Sequence, residues 1–176
     1  MPDGVGTTDT STTVVVFALG AARCALRHDE VREVLPIPHL WRPPGAPRPL
    51  EGFLNLAGTA VPVIALARLL AVPEGEDYAP PLYRHLVLLR VAASAKPTAL
   101  LVERVLDVAR VPAEAIRPAA PDGTLNGCVE AEIDTGEGFI HLLAADRILL
   151  AQERAVLHDL AEAAEARLGE WGASTR

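Results

Sequence analysis

The hydrophobic positions of this chain fall into short runs that turn residues separate. Residues 14–19 are apolar and begin with three valines, and Gly20 ends this run before a second apolar stretch at 24–26. This pattern predicts a strand, a turn and a second strand. A third strand, partly exposed, is predicted over residues 31–37.

Prolines crowd the next segment, from Pro36 to Pro49. Because proline has no amide hydrogen and a fixed φ, we predict an extended loop there and not a helix. The run PPGAP at 43–47 is also compatible with a polyproline ligand for another protein. A loop that joins two strands is the better explanation.

A β-hairpin is predicted for residues 52–66, with its turn at residues 57–59. Pro62 inside its second strand suggests a strand edge or a bulge. A linker rich in proline, glycine and acidic residues follows at 72–81. Beyond it, five further runs predict strands, at 86–91, 98–102, 105–111, 127–133 and 138–143.

The two halves of this β-rich region resemble each other. Residues 25–36 are echoed by residues 99–108, and the first hairpin with ARLL at 67–70 is echoed by residues 127–143 with DRILL at 146–150. An internal repeat of this kind predicts two similar small barrels that share a core. We place one barrel over residues 14–72 and the other over residues 83–150. Each barrel alone would have a marginal core, so we expect the two to bury apolar surface against each other.

The pattern changes to a helical period over residues 151–171. We predict an amphipathic C-terminal helix and tail at 151–176, and a flexible N-terminal tail at 1–13. The helix is expected to pack on the barrels as a lid, and a partner-binding or dimerising helix is the alternative.

The N-terminus has no basic start and no apolar core, so no secretory signal is expected. A cytosolic location follows, and no apolar run approaches the ~20 residues of a membrane span.

Composition and charge exclude several function classes. The net charge is −7 and the 16 basic residues are scattered, which disfavours nucleic acid as a partner. Cys24 and Cys128 have no CxxC spacing and are expected to be reduced core residues. The five histidines lack metal-ligand spacing, and no GxSxG, HExxH or phosphate-binding loop occurs. We therefore expect no catalytic, cofactor-binding or metal site, and we interpret Glu130 and Glu132 as a solvated strand edge.

Several spaced motifs resemble those of the CheW-like family. In the first half they are FALG at 17–20, VREV at 31–34, PGAP at 44–47, GFLNL at 52–56, Gly58 and VPVI at 61–64. In the second half they are ALLV at 99–102, VLDV at 105–108, IRP at 116–118 and Gly127. The resemblance covers residues 14–150.

The resemblance implies a fold of two packed five-stranded SH3-like β-barrels and an adaptor role that needs no cofactor. Members of this family bind the regulatory domain of a CheA-type histidine kinase and the cytoplasmic hairpin tip of methyl-accepting chemoreceptors. Other CheW-like domains in array rings are a further candidate partner. An apolar groove between the barrels would receive the receptor helices. The partner-binding positions that the resemblance implies are Glu33, Val34, Asn55, Leu56, Ala57, Gly58, Val102 and Val105.

Three residues depart from the family pattern. Ala57 stands where the family usually has Arg, Ala65 stands where it usually has Asp, and Glu103 stands where Asp is frequent. Because Ala57 replaces this Arg, the chain lacks a guanidinium group whose N–H donors could pair with a carboxylate such as Glu33. We expect a divergent coupling protein of an alternative chemosensory array. The alternative is a CheW-like scaffold that binds itself or another regulator without receptor coupling.

Overall fold

The computed structural model describes residues 10–73, 81–91, 95–120 and 127–173. Most of the predicted N-terminal tail and most of the predicted linker lie outside these ranges. The first strand begins at Ser11, inside the predicted tail. None of the described helices has the length and apolar character to cross a membrane.

Eleven strands and three helices follow one another in the described ranges. The strands are β1 Ser11–Leu19, β2 Ala22–Arg27, β3 Val31–Pro36, β4 Leu50–Leu56, β5 Thr59–Ala65, β6 His85–Leu89, β7 Ala99–Val102, β8 Arg104–Pro112, β9 Ile116–Pro118, β10 Val129–Asp134 and β11 Phe139–Leu143. The helices are α1 Leu66–Leu69, α2 Ala145–Ile148 and α3 Ala151–Ala173. The predicted class, all-β with a C-terminal helix, is confirmed.

The strands form two sheets, and each sheet takes strands from both halves of the chain. Their orders are β8-β1-β2-β11-β10-β9 and β3-β6-β7-β5-β4. The hairpin β1–β2 thus joins the strands of the second half, and the hairpin β6–β7 joins those of the first. This exchange differs from the predicted division into residues 14–72 and 83–150.

Short connections explain the exchange. Only Glu103 separates β7 from β8, and a single turn of 3₁₀-helix, His28–Glu30, separates β2 from β3. A hairpin needs about two residues in its turn, so the one-residue link after β7 cannot form one and carries the chain onto the neighbouring sheet. The 3₁₀ turn after β2 does the same for the first half of the chain. The parallel pairs β2–β11 and β7–β5 then complete the two sheets symmetrically, as the sequence repeat requires.

Both faces of the central strands are buried, which accounts for their continuous apolar runs. Val14 and Val16 lie inside the first sheet, whereas Val15 and Phe17 lie in a core between the two sheets. The interior of the second sheet is formed by Leu54, Val61, Val63, Leu86, Leu88, Ala99 and Leu101. The molecule therefore has one core inside each sheet and a third core shared between them.

Each sheet closes into a barrel through the chain that follows its outer strand. Beyond β3, Trp41 pairs with Phe53 of β4 through two backbone hydrogen bonds of 3.1 and 2.7 Å. Beyond β8, strand β9 pairs with β10. The pairing of Trp41 with β4 and the pairing of β9 with β10 occupy equivalent positions in the two halves of the sequence repeat. The predicted pair of packed barrels is confirmed.

Helix α3 packs on the shared core, as the lid interpretation predicted. Leu157, Ala161 and Ala164 face this core. Strand β5 pairs with β7 only from Val63 onward, so the side of β5 at Pro62 is a local edge that tolerates proline. Helix α3 therefore lies beside the part of β5 that β7 does not reach.

Candidate partner-binding surface

Strand β3 carries the first two predicted partner-binding residues at an edge of its sheet. Glu33 is exposed, and Val34 retains 36% of its accessible surface. The pairing with β6 skips Arg32, which forms a β-bulge. Bulges turn a strand so that its side chains point in a new direction, and edge strands carry many of them. Glu33 and Val34 are thus adjacent residues that are both exposed to solvent.

Strand β8 presents the same arrangement on the other barrel. Its pairing with β1 skips Leu106, which is the counterpart of Arg32. Asp107 is exposed, and Val108 is 54% exposed. VREV at 31–34 and VLDV at 105–108 are therefore two copies of one bulged motif. The sequence prediction did not include Leu106, Asp107 and Val108, although the repeat contained the signal that identifies them.

Residues 55–58 form the tip of the β4–β5 hairpin. The Asn55 side-chain oxygen accepts a hydrogen bond of 2.9 Å from the Gly58 amide. Ala57 has a φ of 51° and Gly58 a φ of 90°, as a two-residue turn between antiparallel strands requires. Both turn residues are exposed, so the tip is accessible to a partner.

Replacing Ala57 with Asn is expected to stabilise the protein by about 0.5–1 kcal/mol, because Asn tolerates a positive φ better than Ala does. Urea denaturation would show this as a higher midpoint. Ala57→Arg, the residue usual in the family, keeps the strain and serves as the control with little expected change. A lower midpoint for Ala57→Asn would contradict the turn geometry.

Val102 and Val105 lie where the chain crosses from one barrel to the other. Val102 is only 1% exposed and belongs to the shared core. Val105 is partly buried against that core, and its amide donates a hydrogen bond of 3.1 Å to Nδ1 of His85. The side chain of Val102 is therefore unavailable to a partner, because both faces of β7 are covered.

The hairpin tip and the β3 residues do not form one continuous site. Glu33 lies opposite Leu88, and Leu88 lies opposite Ala99. Ala99 in turn lies beside Val63 of β5. From Val63 the strand runs four residues back to Thr59, where the tip begins, which is ~13 Å at about 3.3 Å per residue. The predicted residues thus occupy at least two separate patches.

An apolar groove of about 310 Å³ lies between the proline-rich loop and α3. Its walls include Pro47, Leu50, Ile64, Leu69, Val156 and Leu157. Neither Val102 nor Val105 contributes to it. The groove beside α3 is therefore distinct from the surface that Val102 and Val105 were predicted to line.

The family model of the CheW-like domain matches residues 13–153. The chain belongs to the CheW-like family. The crystal structure of the scaffolding protein TtCheW from Thermoanaerobacter tengcongensis has a similar fold, with a TM-score of 0.69 at 22% identity, over 80% of this chain and 88% of that one. No match to a curated protein sequence was found.

Two of the three departures from the CheW-like pattern are buried. Ala65 is 6% exposed and precedes α1 without a side-chain cap, a position where Asp would accept backbone hydrogen bonds. Glu103 is 8% exposed, and its carboxylate accepts a hydrogen bond of 2.8 Å from the Gly20 amide. Only Ala57 changes the exposed surface of this CheW-like chain.

The two cysteines are free thiols of the shared core, as predicted. Cys24 lies opposite His141 in the β2–β11 ladder, yet burial raises the pKa of the Cys24 thiol to about 12. Burial raises the pKa of the Cys128 thiol as well. Both thiols therefore remain protonated and are not activated nucleophiles.

Glu130, one of the two carboxylates that the sequence places on a strand edge, forms an ion pair with Arg27.

Proposed function

We propose that this chain is a non-catalytic adaptor that couples methyl-accepting chemoreceptors to a CheA-type histidine kinase. It would act in the cytoplasm, where it would be recruited to receptor arrays. Membership of the CheW-like family supports the adaptor role. The observation that carries the proposal is the pair of exposed, bulged strands, one on each barrel, each with an acidic residue beside a valine.

The chemistry of these strands suits contacts that form and break. Val34 and Val108 each offer a small apolar contact, and Glu33 and Asp107 lie beside them. Small interfaces with exposed charges are typical of transient signalling complexes. With a net charge of −7, the chain would attract a partner that carries basic residues, and added salt would slow the association.

A binding titration with the regulatory domain of the kinase tests the β3 surface. Val34→Arg is expected to weaken binding about tenfold, or about 1.4 kcal/mol, because it places a large cation in an apolar contact. Val91→Arg is the matched control, since Val91 is 37% exposed and lies outside both bulged strands. Equal losses for the two variants would contradict a role for β3.

Ala57, the exposed residue that departs from the family pattern, can be tested separately. In pull-downs with kinase regulatory domains from different arrays, Ala57→Arg is expected to gain binding only to a kinase that serves family members with Arg at this position. Such a gain would show that the tip selects the partner. Equal binding of both proteins to all the kinases would show that it does not.

A second function is favoured by the same repeat. The bulged strands β3 and β8 are equivalent edges on one molecule, so copies of the chain could join β3 to β8 and form rings or filaments. Sedimentation of the purified chain separates the two functions. Growth of the assembly with concentration, without binding to the kinase or the receptor tip, would favour a self-associating scaffold.

A further inference from the structure

A groove of about 930 Å³ lies between helix α3, helix α2 and the segment that follows β6. Leu149 and Leu157 line both this groove and the one of about 310 Å³. Because its walls are both apolar and charged, we call it the mixed groove. Small-molecule sites commonly have this size and combine apolar walls with a few polar groups. The charged side chains therefore decide what the mixed groove can bind.

Two arginines of the mixed groove are held by main-chain carbonyl groups. Arg90 donates from Nε to the carbonyl oxygen of Asp29 at 3.0 Å and from Nη2 to that of Val31 at 3.4 Å. Arg154 donates from Nη2 to the carbonyl oxygen of Asp146. Within the described ranges, neither guanidinium forms an ion pair with a carboxylate. Both groups therefore keep an uncompensated charge and further N–H donors for a ligand.

Both arginines are anchored beside one contact between the 3₁₀ turn after β2 and the start of α2. There, the Glu30 carboxylate accepts a hydrogen bond of 3.3 Å from the Ala145 amide. The Arg90 amide donates to the carbonyl oxygen of Glu30 at 2.8 Å. Asp146, whose carbonyl oxygen binds Arg154, directly follows Ala145. The two guanidinium groups are thus attached to the two partners of a single contact.

The acidic side chains of the mixed groove do not neutralise this pair. The Glu30 carboxylate accepts hydrogen bonds from the amides of Arg27 and Ala145, at 3.2 and 3.3 Å. Burial raises the pKa of the Glu30 carboxyl, which weakens its negative charge. Asp146 and Asp159 are exposed, where solvent and salt screen their charges. None of these carboxylates is paired with a guanidinium of the groove.

The other two basic side chains of the mixed groove already lie beside carboxylates. Lys96 is 3.3 Å from Glu165, and Nε2 of His158 is 3.3 Å from Glu162. The two arginines therefore remain as the cations that a ligand can engage.

The chemistry of a guanidinium pair favours a phosphate. The planar donor fork of arginine matches phosphate oxygens and can bind two of them at once. A phosphate monoester carries about −1.5 to −2 charges at pH 7, which suits two guanidinium groups better than one carboxylate does. A soluble molecule is a better source of this phosphate than a lipid, because the net charge of −7 opposes approach to an anionic membrane.

We propose that the mixed groove is a binding site for a small organic phosphate. The phosphate binds Arg90 and Arg154. The apolar body of the ligand packs on Leu89, Leu149 and Leu157. Because these residues belong to β6, α3 and the link before α3, the bound ligand stabilises the packing of α3 on the barrels. This site goes beyond the adaptor role and does not rest on it.

Calorimetric titration of the unchanged chain with naphthyl phosphate tests the site. Naphthol, which has the same rings and no phosphate, is the matched control ligand. Naphthyl phosphate is expected to bind about tenfold more tightly than naphthol, because only the phosphate can pair with the guanidinium groups. Equal affinities, or no binding of naphthyl phosphate, would overturn the proposal.

Single variants assign the phosphate contact to the two arginines. Arg90→Gln and Arg154→Gln are each expected to weaken the binding of naphthyl phosphate about tenfold and to leave that of naphthol unchanged. Arg154 is exposed on α3, so its replacement leaves the core intact. Arg110→Gln is the matched control, since Arg110 is exposed on β8 and does not line the groove. Equal effects of Arg154→Gln and Arg110→Gln would contradict the assignment.

Two further ligands test the nature of the natural one. Inorganic phosphate is expected to bind at least tenfold more weakly than naphthyl phosphate, and equal affinity would show that the apolar walls play no part. Vesicles of phosphatidylglycerol and phosphatidylcholine are expected to leave the chain in the supernatant at physiological salt. Co-sedimentation that Arg154→Gln abolishes would assign the groove to a membrane phosphate and overturn the proposal of a soluble ligand.

Discussion

Replacing Gly20 with alanine is expected to lower the free energy of unfolding by about 2–4 kcal/mol, the sum of an unfavourable backbone conformation and an overpacked contact. Gly20 has a φ of +59° in the turn between β1 and β2. An added Cβ would lie 2.9 Å from Cγ1 of Val72 and closer still to the carbonyl oxygen of Pro73. The backbone oxygen cannot move away as a flexible side chain could.

The control for this prediction is Gly45→Ala. Gly45 has a similar φ of +74°, but no atom lies within 4 Å of the position of its Cβ. Its replacement should therefore cost only the conformational part, about 1 kcal/mol. Chemical denaturation of the three proteins measures both terms. Equal losses at the two positions would show that Gly20 is not in close contact with residues 72 and 73.

Phe17→Ala is expected to cost about 3–5 kcal/mol and to weaken both barrels together. Phe17 is fully buried in the shared core, on a strand that the first half of the chain contributes to the sheet of the second half. Because both sheets pack on the shared core that contains Phe17, we expect neither barrel to persist after the other has unfolded. Phe139→Ala, at a position that is 52% exposed, is the control.

Hydrogen exchange can follow the two barrels separately. Amides of β10 report on the first sheet and amides of β6 report on the second. In Phe17→Ala both sets should lose protection by the same factor, as expected for one cooperative unit. Loss of protection in β10 alone would mean that the barrels unfold independently, and would contradict their coupling through the shared core.

Among the candidate site residues, those whose exposure follows from local structure were predictable. The hairpin tip at residues 55–58 is such a case, because Gly58 and the flanking strands indicate an exposed turn. Val34 is a second, since the sequence predicted a partly exposed strand over residues 31–37, and β3 is exposed at this position. The burial of Val102 was not predictable, because ALLV at 99–102 has no alternation and the sequence could not show that both sides of β7 are covered.

The exposure of Val108 could not be predicted from the sequence, for a different reason. The repeat of VREV and VLDV was visible, but its importance depended on both copies being bulged edge strands, which strand pairing decides. The groove beside α3 was also beyond sequence reasoning, because its walls come from the proline-rich loop, α1 and α3. Residues that are far apart in the chain meet there only after the barrels have packed.

The strands, the hairpins, the C-terminal helix and the twofold repeat could be predicted from the sequence, because apolar periodicity and turn residues act within a few positions of the chain. The sheet that each hairpin joins could not be predicted from the sequence. The parallel pairs β2–β11 and β7–β5 connect distant segments, and only the burial of apolar faces in a common core selects them. The exchange of hairpins, the burial of Val102 and the packing of α3 on the shared core therefore depend on long-range contacts.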